Sequence, residues 1–338
     1  MRAIVIDKFG AGADGLLLAE RAVPKPSPGQ VLVRIRAASV NYRDLLILAG
    51  VYPVPARQGI AALSDGAGEV VAVGTGVTSV AISQRVAAVY FPRWRDGPFS
   101  MAFALEQYGC TREGVLADYV LADEDGIIPI PSHLSFEEAA ALPCAGVTAW
   151  AALNGPRAVL AGETVLTIGS GGVALFVVQF AKLCGARVIV VTSASDKRAR
   201  LLALGADEVV VREGGNDWSS AVRALTNGRG VDHIVQTGSR DTLEASLACA
   251  ADNAVATIVA ALGPGQVSTK VFQLPITIRR TYVGARAHFA EMNRLISEHG
   301  LKPAIDSVHG FANVRAAFDR SSARSQFGKV VIVLGESA

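Results

Sequence analysis

The sequence has little cysteine and little charge, and each shortage excludes a class of protein. Its four cysteines, Cys110, Cys144, Cys184 and Cys249, form no C-x-x-C pair. They therefore predict buried thiols rather than a structural zinc site or a redox dithiol. Only 18 % of the 338 residues are charged, the net charge is +2, and no cluster of Lys and Arg stands out. Nucleic acid is consequently not expected as a partner.

Long membrane-spanning runs and a secretion signal are missing as well. The uncharged run 165–181 is short for a bilayer and has three glycines near one end, which suits a buried strand and helix better. Residues 1–9 alternate like a strand and lack the charged and then apolar pattern of a signal peptide. These features predict a cytoplasmic protein without a membrane partner.

What the chain does have is apolar sequence, at 51 % of its residues, enough for a large core in roughly two domains. The first part is predicted to be β-rich, because residues 31–36, 68–74, 85–91 and 116–121 alternate or carry β-branched runs. Ser135, followed by two glutamates, predicts a helix start. That helix should continue through 139–153, with an interruption near Pro143.

The most informative stretch is V-L-T-I-G-S-G-G-V-A at residues 165–174, an apolar strand that ends in a glycine-rich turn. The spacing G-x-G-x-x-A is typical of a turn that seats a dinucleotide pyrophosphate on a helix N-terminus. Gly169 permits the tight turn, Gly171 lets backbone N–H groups approach the phosphates, and Ala174 keeps helix and strand close. The predicted contacts in this turn are Gly169, Ser170, Gly171, Gly172 and Val173.

Strands and helices alternate after this turn, through segments 186–191, 196–204, 208–211, 217–225, 231–235, 242–250 and 254–260. Such alternation predicts an α/β fold with a doubly wound parallel sheet covered by helices on both faces. Ligands of this fold bind at the carboxyl ends of the strands. The predicted contacts at two of those ends are Thr237, Gly238, Ala261, Leu262 and Gly263.

The end of the second strand indicates which nicotinamide cofactor is bound. An NAD site places Asp or Glu there to bond the ribose 2′-OH, whereas this sequence has Thr192. The hydroxyls and cations that follow suit a 2′-phosphate, so NADPH is predicted over NADH. The proposed contacts are Thr192, Ser193, Ser195, Lys197 and Arg198, with Arg212 after the third strand; Asp196 is interpreted as a helix cap.

Together with this turn, four further segments resemble the medium-chain dehydrogenase/reductase superfamily: NYRD at 41–44, SDGAGEV at 64–70, LPCAGVTAW at 142–150 and FGKVV at 327–331. The resemblance covers essentially the whole chain. It implies a GroES-like β-rich catalytic domain over 1–125 and 287–338, and a Rossmann NAD(P)-binding domain over 126–286. It also places Thr148 near the nicotinamide and Gly284, Ala285 and Arg286 against the carboxamide.

Zinc enzymes of this superfamily use Cys and His where this chain has Asn41 and Ser64, so that only Cys144 remains. One thiolate cannot hold the ion, and Asn and Ser oxygens are poor zinc ligands. The chain therefore resembles the zinc-independent branch, which contains quinone and enoyl reductases and related alcohol dehydrogenase-like proteins. In that reading Asn41 holds the nicotinamide ribose or a substrate oxygen, and Ser64 lines the same cleft.

Hydride transfer without zinc needs a hydrogen-bond or proton donor for the oxygen that becomes negative. The Tyr-x-x-x-Lys pair of short-chain reductases is missing, which leaves Tyr52 and Tyr42 as candidate donors. No basic partner supports Cys144 as a nucleophile, and Asp44 is expected to pair with an arginine. The aromatic segment 90–99 is a substrate lid with Phe91, Trp94 and Phe99, a loop packed over the β domain or a dimer contact.

The sequence thus predicts an NADPH-preferring oxidoreductase that reduces an activated C=C or C=O bond of a small molecule, with quinones and enones as the substrate class. Alternatives are a metal-free alcohol dehydrogenase or aldehyde reductase, and a cofactor-binding protein without turnover. By the resemblance, a homodimer is expected through the last strand of the Rossmann sheet, near residues 281–284.

Overall fold

A computed structural model describes residues 1–213, 217–260 and 268–335, and the chain separates into two compact units. The β-rich unit contains Met1–Val147 and Gly284–Ala338, and the parallel-sheet unit contains Thr148–Val283. Residues 126–147, which the sequence analysis assigned to the Rossmann domain, lie in the β-rich unit instead. Among the described residues, no helix is long and apolar enough to cross a membrane.

The first part of the β-rich unit contains short strands with few helices. Its strands are β1 (Arg2–Ile6), β2 (Leu16–Glu20), β3 (Gln30–Val40), β4 (Asp65–Val73), β5 (Arg85–Ala88), β6 (Tyr119–Asp123) and β7 (Ile127–Pro129). Its helices are α1 (Tyr42–Leu48), α2 (Met101–Ala104) and α3 (Phe136–Ala140), and a π-helical turn follows over Leu142–Gly146. Ser135 caps α3 as predicted, with its hydroxyl accepting from the Glu138 N–H.

The parallel-sheet unit alternates strands and helices, as its sequence pattern predicts. After α4 (Val147–Asn154) come β8 (Thr164–Ile168), α5 (Gly172–Leu183), β9 (Arg187–Thr192), α6 (Arg198–Leu204), β10 (Glu208–Val211), α7 (Trp218–Ala224), β11 (Val231–Gln236), α8 (Leu243–Ala248), β12 (Ala250–Ile258) and β13 (Thr277–Arg280). The chain then returns to the β-rich unit with α9 (Arg286–His299), β14 (Ile305–Gly310), α10 (Val314–Ser322) and β15 (Lys329–Val333).

Six parallel strands form the sheet of the second unit, in the order β10-β9-β8-β11-β12-β13. Every residue of the central strand β8 is buried, which explains its continuous apolar sequence. The strand order changes direction between β8 and β11, and this is the position at which open α/β sheets bind their ligands. The α/β class with a β-rich and a Rossmann-like part is therefore confirmed.

The β-rich unit is built around a seven-stranded sheet in the order β14-β15-β3-β4-β5-β7, with β6 paired to β3. Strand β15 pairs antiparallel with β3, and Val330 lies opposite Val40. The last strand of the chain is therefore joined to the strand that leads into α1. This register determines which side chains meet at the start of α1.

Two local predictions are wrong. The last strand of the parallel sheet was expected near residues 281–284 but is β13, because Val283 has a φ of 51°, which extended backbone excludes. Asp196 is not a helix cap, since the 3₁₀ turn over Ser195–Lys197 follows Ala194 and has no side-chain cap. Strand β13 forms the edge of the sheet, and Ile278 on it is 40 % exposed.

Candidate functional site

The glycine turn between β8 and α5 has the geometry of a phosphate-binding loop. Gly169 has a φ of +91°, which favours glycine, and its N–H donates to the Val191 carbonyl at 2.7 Å. A Cβ at Gly171 would project into open space, while α5 begins at the next residue. The first N–H groups of a helix have no partners within it and attract anions. The turn therefore fits a dinucleotide pyrophosphate.

A buried lysine packs against this turn. Lys197 is only 8 % exposed, and its Nζ donates to the Ser170 hydroxyl at 2.9 Å. Thr192, where an NAD enzyme has its acid, is buried, and its hydroxyl accepts from the Ala194 N–H. The structure thus brings the predicted contacts Ser170 and Lys197 together, and a positive charge lies at the phosphate turn.

The other residues predicted to contact the 2′-phosphate do not contact the glycine turn in the hydrogen bonds of the described residues. Ser193 and Ser195 are exposed, and the exposed Arg198 donates from Nη1 to the Val209 carbonyl at 2.8 Å. Arg212 donates from Nη1 to Asp241 at 2.7 Å. Both guanidinium groups therefore already have protein acceptors away from the glycine turn, whereas Lys197 contacts that turn.

Two of the residues predicted at the strand ends, Thr237 and Gly238, lie beside the same turn. The Thr237 hydroxyl donates to the Ile168 carbonyl, which joins the ends of β11 and β8. A Cβ at Gly238 would come within 2.5 Å of the Thr242 hydroxyl, so only glycine fits there. Thr148 is buried at the start of the unit. The predicted contacts Ala261, Leu262 and Gly263 lie outside the described residues.

In the β-rich unit, the predicted catalytic residues surround the start of α1. Asn41 precedes this helix, and its backbone N–H donates to the Asp44 carboxylate at 2.8 Å. Asp44 pairs with Arg43 at 2.9 Å, and both side chains are buried. Burial raises the pKa of Asp44, while the charge of Arg43 opposes that rise. Asp44 therefore pairs with an arginine, as the sequence analysis expected.

Arg43 also organises two tyrosines. Its guanidinium lies 5.4 Å from the Tyr52 ring centroid and 5.3 Å from that of Tyr90. Both phenols donate to the Gln107 Oε1, at 3.0 Å from Tyr52 and 3.2 Å from Tyr90. Burial raises the pKa of Tyr90. The proton of Tyr52 is therefore held inside a polar cluster that contains a second phenol 3.4 Å away.

Tyr42, the other candidate donor, has a different partner from these two phenols. Its side chain is 39 % exposed, and its hydroxyl accepts from Arg324 Nη2 at 2.5 Å. The Arg324 guanidinium also lies 4.8 Å from the Tyr42 ring centroid. Arg324 has a φ of 51°, an unusual conformation for a side chain of this size. This arrangement makes Tyr42 the partner of a cation.

The positions that hold zinc ligands in related enzymes do not fit a zinc ion here. The Ser64 hydroxyl donates to Asp65 at 2.7 Å, and the Cys144 N–H donates to the same carboxylate at 2.9 Å. Burial and the charge of Asp65 raise the pKa of the Cys144 thiol, which disfavours the thiolate that zinc needs. The Asn41 Oδ1 accepts from the Lys329 ammonium, a cation that would repel a metal. Residues 1–213, 217–260 and 268–335 contain no group of three or more His, Cys, Asp or Glu that could hold a metal.

The aromatic segment is packed within the β-rich unit. Phe91 and Trp94 are buried, and Trp94 lies 5.2 Å from Phe99 and 6.0 Å from Phe103 between ring centroids. The Trp94 carbonyl accepts from the Arg286 N–H at 3.0 Å, which ties the segment to the start of α9. These contacts are those of a loop packed over the β-rich unit, which was one of the alternatives.

The carboxamide contacts expected from the resemblance, Gly284 to Arg286, lie at the same junction. Gly284 and Ala285 are buried, and the Ala285 N–H donates to His288 Nδ1 at 3.0 Å. The Arg286 backbone N–H donates to the Trp94 carbonyl. Residues 284–286 are therefore held by the aromatic segment through Arg286 and by His288 of α9 through Ala285.

The sequence matches two family descriptions, "Alcohol dehydrogenase GroES-like domain" over residues 27–132 and "Zinc-binding dehydrogenase" over residues 172–298. It is 34 % identical over 342 residues to a zinc-type alcohol dehydrogenase-like protein of Schizosaccharomyces pombe, covering 98 % of this chain and 99 % of that protein. The chain belongs to the medium-chain dehydrogenase/reductase superfamily. A putative alcohol dehydrogenase from Sinorhizobium meliloti 1021 has a similar structure, with a TM-score of 0.90, 35 % identity and 99 % of both chains covered.

Two further neighbours are described with their cofactors. One is called an NAD-dependent alcohol dehydrogenase, with a TM-score of 0.88, 32 % identity and coverage of 99 % and 100 %. The other is a mycobacterial protein complexed with NADPH, with a TM-score of 0.83, 26 % identity and the same coverage. This superfamily member is therefore an NAD(P)H-dependent oxidoreductase of the alcohol dehydrogenase-like kind.

Several residues of the polar cluster around α1 were not predicted to have a role. Lys329 begins a strand whose other residues are apolar, and this position was a usable signal, since a lysine there must be buried with acceptors. Asp65 stands beside the predicted Ser64. Gln107 carries no sequence signal, because only the tertiary fold brings its side chain to the tyrosines.

Replacing Gly171 by valine should abolish binding of a nicotinamide dinucleotide while the protein stays folded. The Cβ of the added side chain projects into the open space that the pyrophosphate needs, and outside its chain neighbours it meets no protein atom within 4 Å. Fluorescence titration of the nicotinamide measures binding, and thermal unfolding measures stability.

The matched control for that experiment is Gly310→Val. This glycine also faces open space and needs no positive φ, but it precedes a 3₁₀ turn in the other unit. Unchanged binding by the Gly171 variant would contradict the assignment of the phosphate turn.

Proposed function

We propose that this protein is a zinc-independent, NADPH-preferring oxidoreductase that reduces an activated C=C or C=O bond, with quinones and enones as its substrate class. One observation carries the proposal: at the zinc-ligand positions, Asn41 and Ser64 are bonded to Lys329 and Asp65 and act as members of a hydrogen-bond network. The bound nicotinamide supplies the hydride. The residues of this chain then have to stabilise the charge that develops on the substrate oxygen.

The polar cluster around α1 supplies donors for that charge. Tyr52 is half-buried, and its phenol bonds to Gln107, which also accepts from Tyr90. Either of the two phenols beside the Arg43 guanidinium can deliver a proton to an enolate or alkoxide. The other phenol can then pass a proton to the phenolate that is left. At Tyr90, burial raises the pKa of the phenol, and the charge of Arg43 opposes that rise.

Preference for NADPH is supported by the charges at the phosphate turn. Thr192 removes the carboxylate that would repel a 2′-phosphate, and Lys197 adds an ammonium beside Ser170. The two neighbours with described cofactors differ, one being NAD-dependent and the other bound to NADPH. The proposal therefore rests on Thr192 and Lys197 of this chain.

The variant Lys197→Met should raise the Kd for NADPH about tenfold or more and leave that for NADH little changed, because a charge-assisted hydrogen bond contributes about 1.5–3 kcal/mol. Nicotinamide fluorescence measures both constants. Lys182→Met is the control, since Lys182 pairs with Asp207 near the surface. An equal loss for both cofactors would assign Lys197 to the pyrophosphate and remove the argument for NADPH.

Product analysis distinguishes the substrate classes. Purified protein with NADPH should convert an enone to the saturated ketone, whereas an aldehyde reductase would convert aldehydes to alcohols. The second function is supported by the alcohol dehydrogenase names of the similar proteins. Tight NADPH binding without oxidation across quinones, enones and aldehydes would identify a cofactor-binding protein without turnover.

We also propose a homodimer through the edge strand β13. Its Ile278 is 40 % exposed, and among the described residues β13 is the last strand at that side of the sheet. Such edges pair with a second copy or need protection. Light scattering should give the mass of a dimer for the wild type. Ile278→Lys should give a monomer, whereas the control Leu202→Lys, on α6 of the same unit, should stay dimeric. A monomeric wild type would contradict the proposal.

A further inference from the structure

Only one of the two polar atoms of the Asn41 carboxamide has a hydrogen-bond partner among the described residues. Asn41 is 8 % exposed, and its Oδ1 accepts from the Lys329 ammonium at 2.5 Å. Within the part of the chain that the structure describes, its Nδ2 is buried and has no hydrogen-bond partner. A buried donor without an acceptor is unfavourable, so its retention calls for an oxygen that binds there.

Lys329 determines which end of the carboxamide is left open. An ammonium group can only donate, so the amide oxygen must face it and the NH₂ group must point away. A second bond from Nζ to the Val40 carbonyl, at 2.9 Å, fixes the lysine against β3. Lys329 is itself 4 % exposed, so water does not compete freely for these bonds.

The ammonium also changes the chemistry of the amide. A positive charge on the carbonyl oxygen polarises the group and makes its N–H a stronger donor in a site of low dielectric constant. A donor of this kind is suited to an oxygen that gains negative charge. Carboxylates are less suitable occupants, because the Asp44 carboxylate already accepts from the Asn41 backbone N–H at 2.8 Å and would repel a second anion.

We propose that Lys329 is a positioning residue that holds the Asn41 carboxamide so that its Nδ2 donates to the carbonyl oxygen of the substrate. This inference rests on the proposed function and names the group that takes the place of a metal. When the hydride arrives, the carbonyl oxygen becomes an enolate or alkoxide. The Asn41 Nδ2 hydrogen bond stabilises that charge without transferring its proton.

A double-mutant cycle tests the inference with Lys329→Met, Asn41→Leu and the double variant. We expect Lys329→Met to lower kcat about tenfold, less than the roughly 100-fold expected for loss of the donor itself, because the amide remains but is no longer oriented. The Kd for NADPH should be nearly unchanged. In the Asn41→Leu background, Lys329→Met should cause no further loss of kcat, because the lysine acts through Asn41. The control Lys302→Met, an exposed lysine paired with Glu138, should keep wild-type kcat.

Thermal unfolding tests the bond between Lys329 and Asn41 without any need for turnover. Asn41→Leu leaves a buried ammonium without its amide acceptor and should lower the Tm, and the double variant should recover part of that loss. Asn41→Asp keeps a partner for Lys329 but loses the donor, so it should combine a wild-type or higher Tm with a kcat lowered on the order of 100-fold. Lys329→Arg should retain more kcat than Lys329→Met.

Different outcomes contradict the inference and the proposed function. Wild-type kcat in Lys329→Met would overturn the inference alone, and so would an equal loss of kcat from Lys329→Met in both backgrounds, since the lysine would then act directly. An Asn41→Asp variant with full kcat would overturn the role of Nδ2. A wild-type protein that reduces neither enones nor aldehydes would overturn the proposed function, and with it donation to the substrate.

Discussion

The bond between the Lys329 ammonium and the Asn41 carboxamide depends on the pairing of β15 with β3. An ammonium buried in a protein needs acceptors, and these two come from Val40 and Asn41, at the junction of β3 with α1. The C-terminal strand thereby determines the orientation of a side chain that lies close to the N-terminus in sequence. The polar cluster at α1 can exist in this form only if the seven-stranded sheet closes in this register.

The two units each place a buried lysine against a neutral polar group. At the glycine turn, backbone N–H groups are supported by the buried Lys197, which donates to Ser170. At α1, an amide is supported by the buried Lys329. In both places a lysine with little exposure bonds to a neutral polar group, so its charge is felt through that group. In each arrangement the positive charge belongs to a lysine of the chain.

The sequence made the parallel sheet and the phosphate turn predictable, because both follow from local patterns. Short β-branched runs determine the strands, and the spacing of Gly169, Gly171 and Ala174 determines the turn. The last strand was misplaced because Thr281 to Ala285 has strand-like composition, whereas Val283 adopts a positive φ that composition does not reveal. Helix interruption near Pro143 was predicted, but its form as a π-helical turn depends on packing.

The polar cluster was predictable only in part, because its members come from distant segments. Asn41 and Ser64 were found through their similarity to zinc-ligand positions, which says where they lie and not what they bond. Gln107 and Lys329 reach Tyr52 and Asn41 from segments 55 and 288 residues away. The sequence pattern of β15 requires Lys329 to be buried, but only the pairing of Val330 with Val40 names its acceptor. The role of a buried lysine therefore follows from strand register, which a single sequence specifies through the whole sheet rather than through any motif.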